Sequence, residues 1–352
     1  MKAASFYGSG ELVVEDVPVP GTADDELLVR VRAASICGTD LRILKAGHAS
    51  IPAGTRRVLG HEVAGDVAQV GSRVQGFTRG ERVSIAPCVG CGRCEDCSAG
   101  DNNACASVRI LGIAFDGGFQ EYLRVPRSAL ERGNVFRVPD TVSYAEAALV
   151  EPMACCYRGQ RQVGVGFRDT VAIIGAGPIG VLHTLLARLA GARRIIVSDV
   201  VSSRLDTVRG LGADVAIDGS SEDLRGAILE ETSGRGANVV ITTVSSAAVQ
   251  SQAVELLAPR GRLCVFAGLS ASERVEIDTN RLHYASLTLT GTTGASIADY
   301  GACLRLVAER RIDLAPVITG RFPLERIHEA IEHSASRRSL KAVLEFDIPE
   351  TD

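Results

Sequence analysis

Tryptophan is absent from the 352-residue chain, and aromatic residues together make up only 4% of it. A substrate pocket walled by aromatic rings is therefore not expected. Long apolar runs are missing too. No segment approaches the ~20 consecutive apolar residues that a bilayer-spanning helix needs, and the longest stretch, 171–182, is broken by Gly175, Gly177, Pro178 and Gly180. The first residues carry one lysine and then turn polar at Ser5, Ser9 and Glu11, with no apolar core of a secretory signal. Neither sign of charge dominates: 38 Lys and Arg face 42 Asp and Glu, for a net charge of −4. That balance argues against nucleic acid or an anionic membrane as a partner. Internal repeats and low-complexity tracts are also lacking. A cytoplasmic globular protein is the expectation.

What is present is a length too great for one ordinary core, so two domains are expected. The first half is rich in short Val-containing runs such as 27–33 and 63–70, bounded by Gly, Pro and Asp, which suits a small twisted β-barrel. From about residue 168 apolar strands alternate with helical spacing: strands near 171–174, 194–197, 215–217, 239–242 and 263–266, with helices between them. Strands and helices in that alternation form right-handed βαβ units on a parallel sheet. Gly191, Gly212, Gly236 and Gly261 are read as loops closing the helices or preceding the strands. After about residue 285 come a strand near 287–290, helices near 300–310 and 324–334, and a last strand at 341–346. This tail is too short to stand alone and is expected to return to the first domain.

The run Gly175-Ala-Gly177-Pro178-Ile179-Gly180 follows a strand and opens a helix. There the glycines permit a tight turn, close approach of backbone to a pyrophosphate, and close helix–strand packing, while the helix N-terminus meets the anion. Asp199, at the end of the second strand, is placed to accept hydrogen bonds from a ribose and to repel a 2′-phosphate, which favours NAD over NADP. Arg204 lies close enough to contact the adenine or a phosphate and weakens that preference. The bland alternative is a structural turn with a surface Asp.

Ten cysteines are many for a chain expected in a reducing compartment, where clustered thiols bind metal more often than they form disulfides. Cys91, Cys94, Cys97 and Cys105 have the spacing to close around one tetrahedral zinc as a structural site with no open position. An iron–sulfur cluster is the alternative for the same ligands. A nucleic-acid zinc ribbon is disfavoured by the acidic flanks Glu95, Asp96 and Asp101. Cys88 lies just outside the pattern, although spacing alone also permits it in place of Cys91.

Cys37-Gly-Thr39-Asp40, Gly60-His61-Glu62 and Glu151-Pro152 are the remaining polar clusters. Catalytic zinc takes about three protein ligands and keeps one position open, and Cys, His and carboxylate supply such a set. Taken with the glycine turn and the cysteine loop, all in this order, these motifs resemble the zinc-containing medium-chain alcohol dehydrogenase family over essentially the whole length. The pairing of Glu62 with His61, and Glu151-Pro152, look most like its sorbitol (polyol) and threonine dehydrogenase branch.

The resemblance implies an α/β chain with a GroES-like β-barrel catalytic domain, 1–150 completed by 288–352, and a Rossmann doubly wound parallel-sheet domain, 151–287. It implies two zinc ions per chain. The catalytic one is held by Cys37, His61 and Glu62, with Glu151 binding directly or through water, and the structural one by the four-cysteine loop. Asp40 orients His61, and Thr39 takes the hydroxyl proton. Many relatives carry a His three residues after this Thr, where the present chain has Arg42; the relay then ends at cofactor ribose and water, or at His48, otherwise read as a solvated loop residue. Arg42 could also contact a cofactor phosphate or an anionic substrate. The implied activity is NAD-linked oxidation of a secondary hydroxyl on a polyol, sugar alcohol or aminocyclitol, with L-threonine as the nearest rival. Asn280, His283 and Tyr284 would shape the pocket or serve the subunit edge. Residues 287–292 would pair with a second copy in a homodimer or homotetramer. The non-enzyme alternative is an inactive zinc-stabilised NAD sensor, which predicts damaged catalytic ligands.

Overall fold

The computed structural model of the protein describes residues 1–10, 12–336 and 339–346. It forms two compact units, one from Met1–Ala154 with Ala295–Asp352, the other from Cys155–Gly294.

In the second unit six strands lie parallel in the order Val215–Asp218, Arg194–Asp199, Thr170–Ile174, Ala237–Thr242, Leu257–Val265, Thr288–Gly291. The chain order reverses beside Thr170–Ile174, the switch point at which such sheets receive ligands. That central strand reads Thr-Val-Ala-Ile-Ile and is buried at every position, as a parallel strand covered on both faces must be. Gly261 departs from the expected loop. It lies inside Leu257–Val265, where Arg260 adopts φ +62° and the pairing with Ala237–Thr242 shifts register. The ladder absorbs the irregularity as a bulge and the strand continues through it.

The first unit is built on a mainly antiparallel sheet ordered Val135–Arg137, Arg82–Ile85, Glu62–Val70, Leu27–Ser35, Lys341–Glu345, Ile318–Phe322, with Tyr122–Val125 also paired to Leu27–Ser35. Its apolar interior gathers Phe6, Leu27, Ile85, Phe119 and Leu123 with Leu324, Ile327 and Leu344 from the tail. The tail thus supplies both strands and core to this GroES-like unit. Leu344 pairs with Ala34, and Ser35 pairs with both Val343 and Glu62. Three segments far apart in sequence therefore converge at the end of Leu27–Ser35, where the next residues are Ile36 and Cys37.

Candidate functional site

Cys37 caps the helix Gly38–Ala46. Its Sγ accepts the Thr39 N–H at 3.5 Å, and its own N–H donates to Asp40 Oδ2 at 2.9 Å. A thiolate at a helix N-terminus is stabilised by the dipole and by such donors. The other Asp40 oxygen, Oδ1, accepts the Gly60 N–H at 3.4 Å and faces His61 Nδ1 at 3.7 Å. One buried carboxylate thereby serves both donor segments, and by engaging Nδ1 it leaves Nε2 of His61 for a metal. Gly60 is required just before the histidine: it has φ +89°, and a Cβ there would lie 2.5 Å from the Phe119 ring.

Cys37, His61 and Glu62 present one donor atom each, all within 4.8 Å of one another. Thiolate, imidazole and carboxylate together suit zinc. Glu62 is fully buried, so its charge needs a cation beside it. Burial opposes a charge on His61, but the neighbouring Cys37 and Asp40 outweigh it and raise its pKa well above 6.5. Glu151 lies outside that trio. It is buried in the first turn of helix Val150–Val163, and its charge bears on Lys341, Cys88 and Tyr300.

Sequence reasoning missed Lys341, the first residue of the last strand. Only 4% exposed, it donates through Nζ to Ile36 O at 2.8 Å and to Glu62 Oε1 at 2.7 Å, and lies 2.5 Å from Glu62 Oε2. Burial works against its charge, while Glu62 and Cys37 reverse the effect and raise its pKa. The available signal was a lysine heading the apolar run Ala342-Val343-Leu344, which becomes informative once that strand is known to be buried.

Arg42 donates from Nη2 to Thr39 Oγ1 at 3.0 Å. His48 is exposed in a turn bridged to Ile51, its Nδ1 accepting the Ser50 N–H at 3.1 Å, as a loop residue would. Asn280, His283 and Tyr284 lie on the short helix Thr279–Tyr284, with Tyr284 82% exposed.

Cys91, Cys94, Cys97 and Cys105 form a second donor group, also within 4.8 Å of one another. Backbone N–H groups of Arg93 and Cys94 hold the Cys91 thiol down, to about 6. Cys88 is not among these donors, and burial together with Glu151 pushes its thiol up to about 11.

In the second unit, Thr170–Ile174 runs into Gly175 at φ +104°, and Gly177 caps the helix Pro178–Leu189 with Pro178 in its first turn. A Cβ on Gly180 would meet the Gly175 carbonyl oxygen at 1.8 Å, so only glycine allows this approach. Asp199 accepts the Ala176 N–H at 2.7 Å and the Val201 N–H at 2.9 Å, and Arg204 Nη1 stands 3.8 Å from it. A cavity of about 260 Å³ opens beside this turn, lined by Gly175, Asp199, Val200, Glu222, Asp223 and Val244.

Comparison with known proteins follows the same division. Residues 23–140 match the alcohol dehydrogenase GroES-like domain and residues 178–309 the zinc-binding dehydrogenase family. The chain is 31% identical over 336 residues to sorbitol dehydrogenase of Bacillus subtilis, spanning 95% of this chain and 93% of that protein. It is 32% identical over 355 residues to L-threonine 3-dehydrogenase of Deinococcus radiodurans, spanning 99% of each. Among solved structures, a protein from Sinorhizobium meliloti 1021 bound to NADP superposes with a TM-score of 0.90 at 33% identity, over 98% of this chain and 99% of that one.

Proposed function

Because the chain belongs to the zinc-containing medium-chain alcohol dehydrogenase family, we propose that it oxidises a secondary hydroxyl of a polyol, sugar alcohol or aminocyclitol with NAD as hydride acceptor. The observation that carries the reading is the donor trio Cys37, His61 and Glu62. Such a set holds one zinc ion and leaves it short of four ligands. Zinc held there supplies the Lewis acidity that lowers the pKa of a hydroxyl. We assign Glu151 to this ion as well, bound directly or through water, and the four-cysteine loop as the holder of a second, structural zinc.

The residues around the trio have separate tasks. Asp40 fixes both donor segments, through the Cys37 N–H and through His61 Nδ1. Thr39 takes up the substrate's hydroxyl proton at Oγ1. The hydrogen bond from Arg42 already occupies one lone pair of that oxygen, and as the new proton arrives the threonine's own would pass to the ribose hydroxyl of the bound dinucleotide and on to water. Arg42 stays protonated and carries none of it. The hydride chemistry belongs to the dinucleotide. Gly175, Gly177, Pro178, Ile179 and Gly180 bind its pyrophosphate, Asp199 its ribose, and Arg204 flanks them. Asp199, Glu222 and Asp223 line the adjoining cavity, which supports NAD because a 2′-phosphate would meet three carboxylates.

The relatives named for sorbitol and threonine favour a polar substrate of this class, with amino-alcohol oxidation as the second reading. We also propose a homodimer or homotetramer joined at Thr288–Gly291, the outer strand of the parallel sheet. The test is a panel of polyols and amino alcohols with NAD and NADP, read as reduced cofactor, beside a zinc determination. NADH formation on a polyol and two zinc ions per chain are expected. Two zinc ions without turnover of any panel member would overturn the substrate class, and one zinc per chain would overturn the catalytic metal.

A further inference from the structure

We propose that Lys341 is a positioning residue for the metal site: its ammonium group ties the Cys37 segment to the His61–Glu62 segment and presents Glu62 as a donor. The inference rests on the zinc reading above and goes beyond it, since Lys341 is not a ligand.

The geometry is specific. One ammonium reaches Ile36 O, the carbonyl immediately before Cys37, and Glu62 Oε1, on the residue immediately after His61. It thus joins the two chain segments that bear the donors, from a third strand whose register is set by Val343 opposite Ser35. Glu62 itself is held at both oxygens. Oε1 takes the hydrogen bond from Lys341 at 2.7 Å, and Oε2 lies 2.5 Å from the same Nζ. A carboxylate fixed in this way has little orientational freedom to lose when a cation arrives, the usual contribution of a group hydrogen-bonded behind a ligand. Charge points the same way. Cys37, Asp40 and Glu62 crowd one buried region, and Lys341 is the cation bonded directly to it. A buried pair of this kind adds little to stability by itself, but removing one member leaves the other uncompensated.

The experiment measures zinc affinity by chelator competition, resolving the Cys37–His61–Glu62 ion from the four-thiolate ion. In Lys341→Met the first affinity should fall about 10–100-fold, as for loss of a partner behind a ligand, while the four-thiolate ion is retained at the wild-type level. Because the residue acts through Glu62, Lys341→Met added to Glu62→Gln should cost little more than Glu62→Gln alone. That double variant removes both members of the Lys341–Glu62 pair and serves if the single variant does not fold. A Lys341→Met protein that folds and holds both ions as tightly as wild type overturns the inference, as does a further loss of about tenfold in the Glu62→Gln background. A wild type that binds only the four-thiolate ion removes the zinc reading itself and this inference with it.

Discussion

Between Asp40 Oδ1 and His61 Nδ1 the separation is 3.7 Å, long for a hydrogen bond but close for two charges. With Cys37 also close by, His61 keeps a proton to a pH well above its ordinary value of 6.5. Zinc takes only the unprotonated ring, so metal and proton compete. Zinc affinity at this site should therefore hold at high pH and fall as pH drops through the raised pKa, by about tenfold per unit for the one proton. Chelator competition between about pH 9 and pH 6 checks this, and a flat profile over that range would contradict it. At this scale the sequence was informative where chemistry is local. Cys37, Asp40, His61 and Glu62 sit in two tight clusters that meet in space. Lys341 was not legible, because its bond to Glu62 spans 279 residues and no nearby residue announces it. The place of Glu151 outside the trio was equally hidden: order along the chain says nothing of which carboxylate lies nearest a thiol.

Helix Pro178–Leu189 carries a second test. Its His183 is fully buried with Nε2 unpartnered, and burial drives its pKa down to about 3. The folded ring is neutral, whereas the unfolded one binds a proton below about 6.5. More protons on the unfolded state means that stability declines as pH falls. Above about pH 6.5 this histidine contributes no slope; below it the parallel-sheet unit should lose about 1.4 kcal/mol per pH unit until about pH 3. Urea unfolding at about pH 7 and 4.5 should differ by roughly 2–3 kcal/mol from this source, and His183→Gln should remove that difference. Elements of this unit were legible because strand and helix periodicities differ and alternate there. Leu257–Val265 was only half legible: Gly261 reads as a break, yet neighbouring strands keep it in the ladder.

For the molecule as a whole, the outer strand Thr288–Gly291 bears on assembly. One edge pairs with Leu257–Val265, and the other has no strand against it among the described residues. Open strand edges invite a second strand. Light scattering in solution should give two or four times the 37.0 kDa of the chain; a mass of one chain at assay concentrations would rule the pairing out. Fold class was legible because the glycine turn and the βαβ rhythm agree, and because the tail is too short to fold alone. Its destination has a consequence for biosynthesis. Strand Lys341–Glu345 must reach Leu27–Ser35 before Lys341 can bridge Ile36 and Glu62. A nascent chain whose strand Lys341–Glu345 is still inside the ribosome therefore lacks that clasp, so durable metal loading at this centre belongs after that strand has emerged, and truncations ending before residue 341 should emerge with a loose, poorly retaining centre however well their other strands assemble.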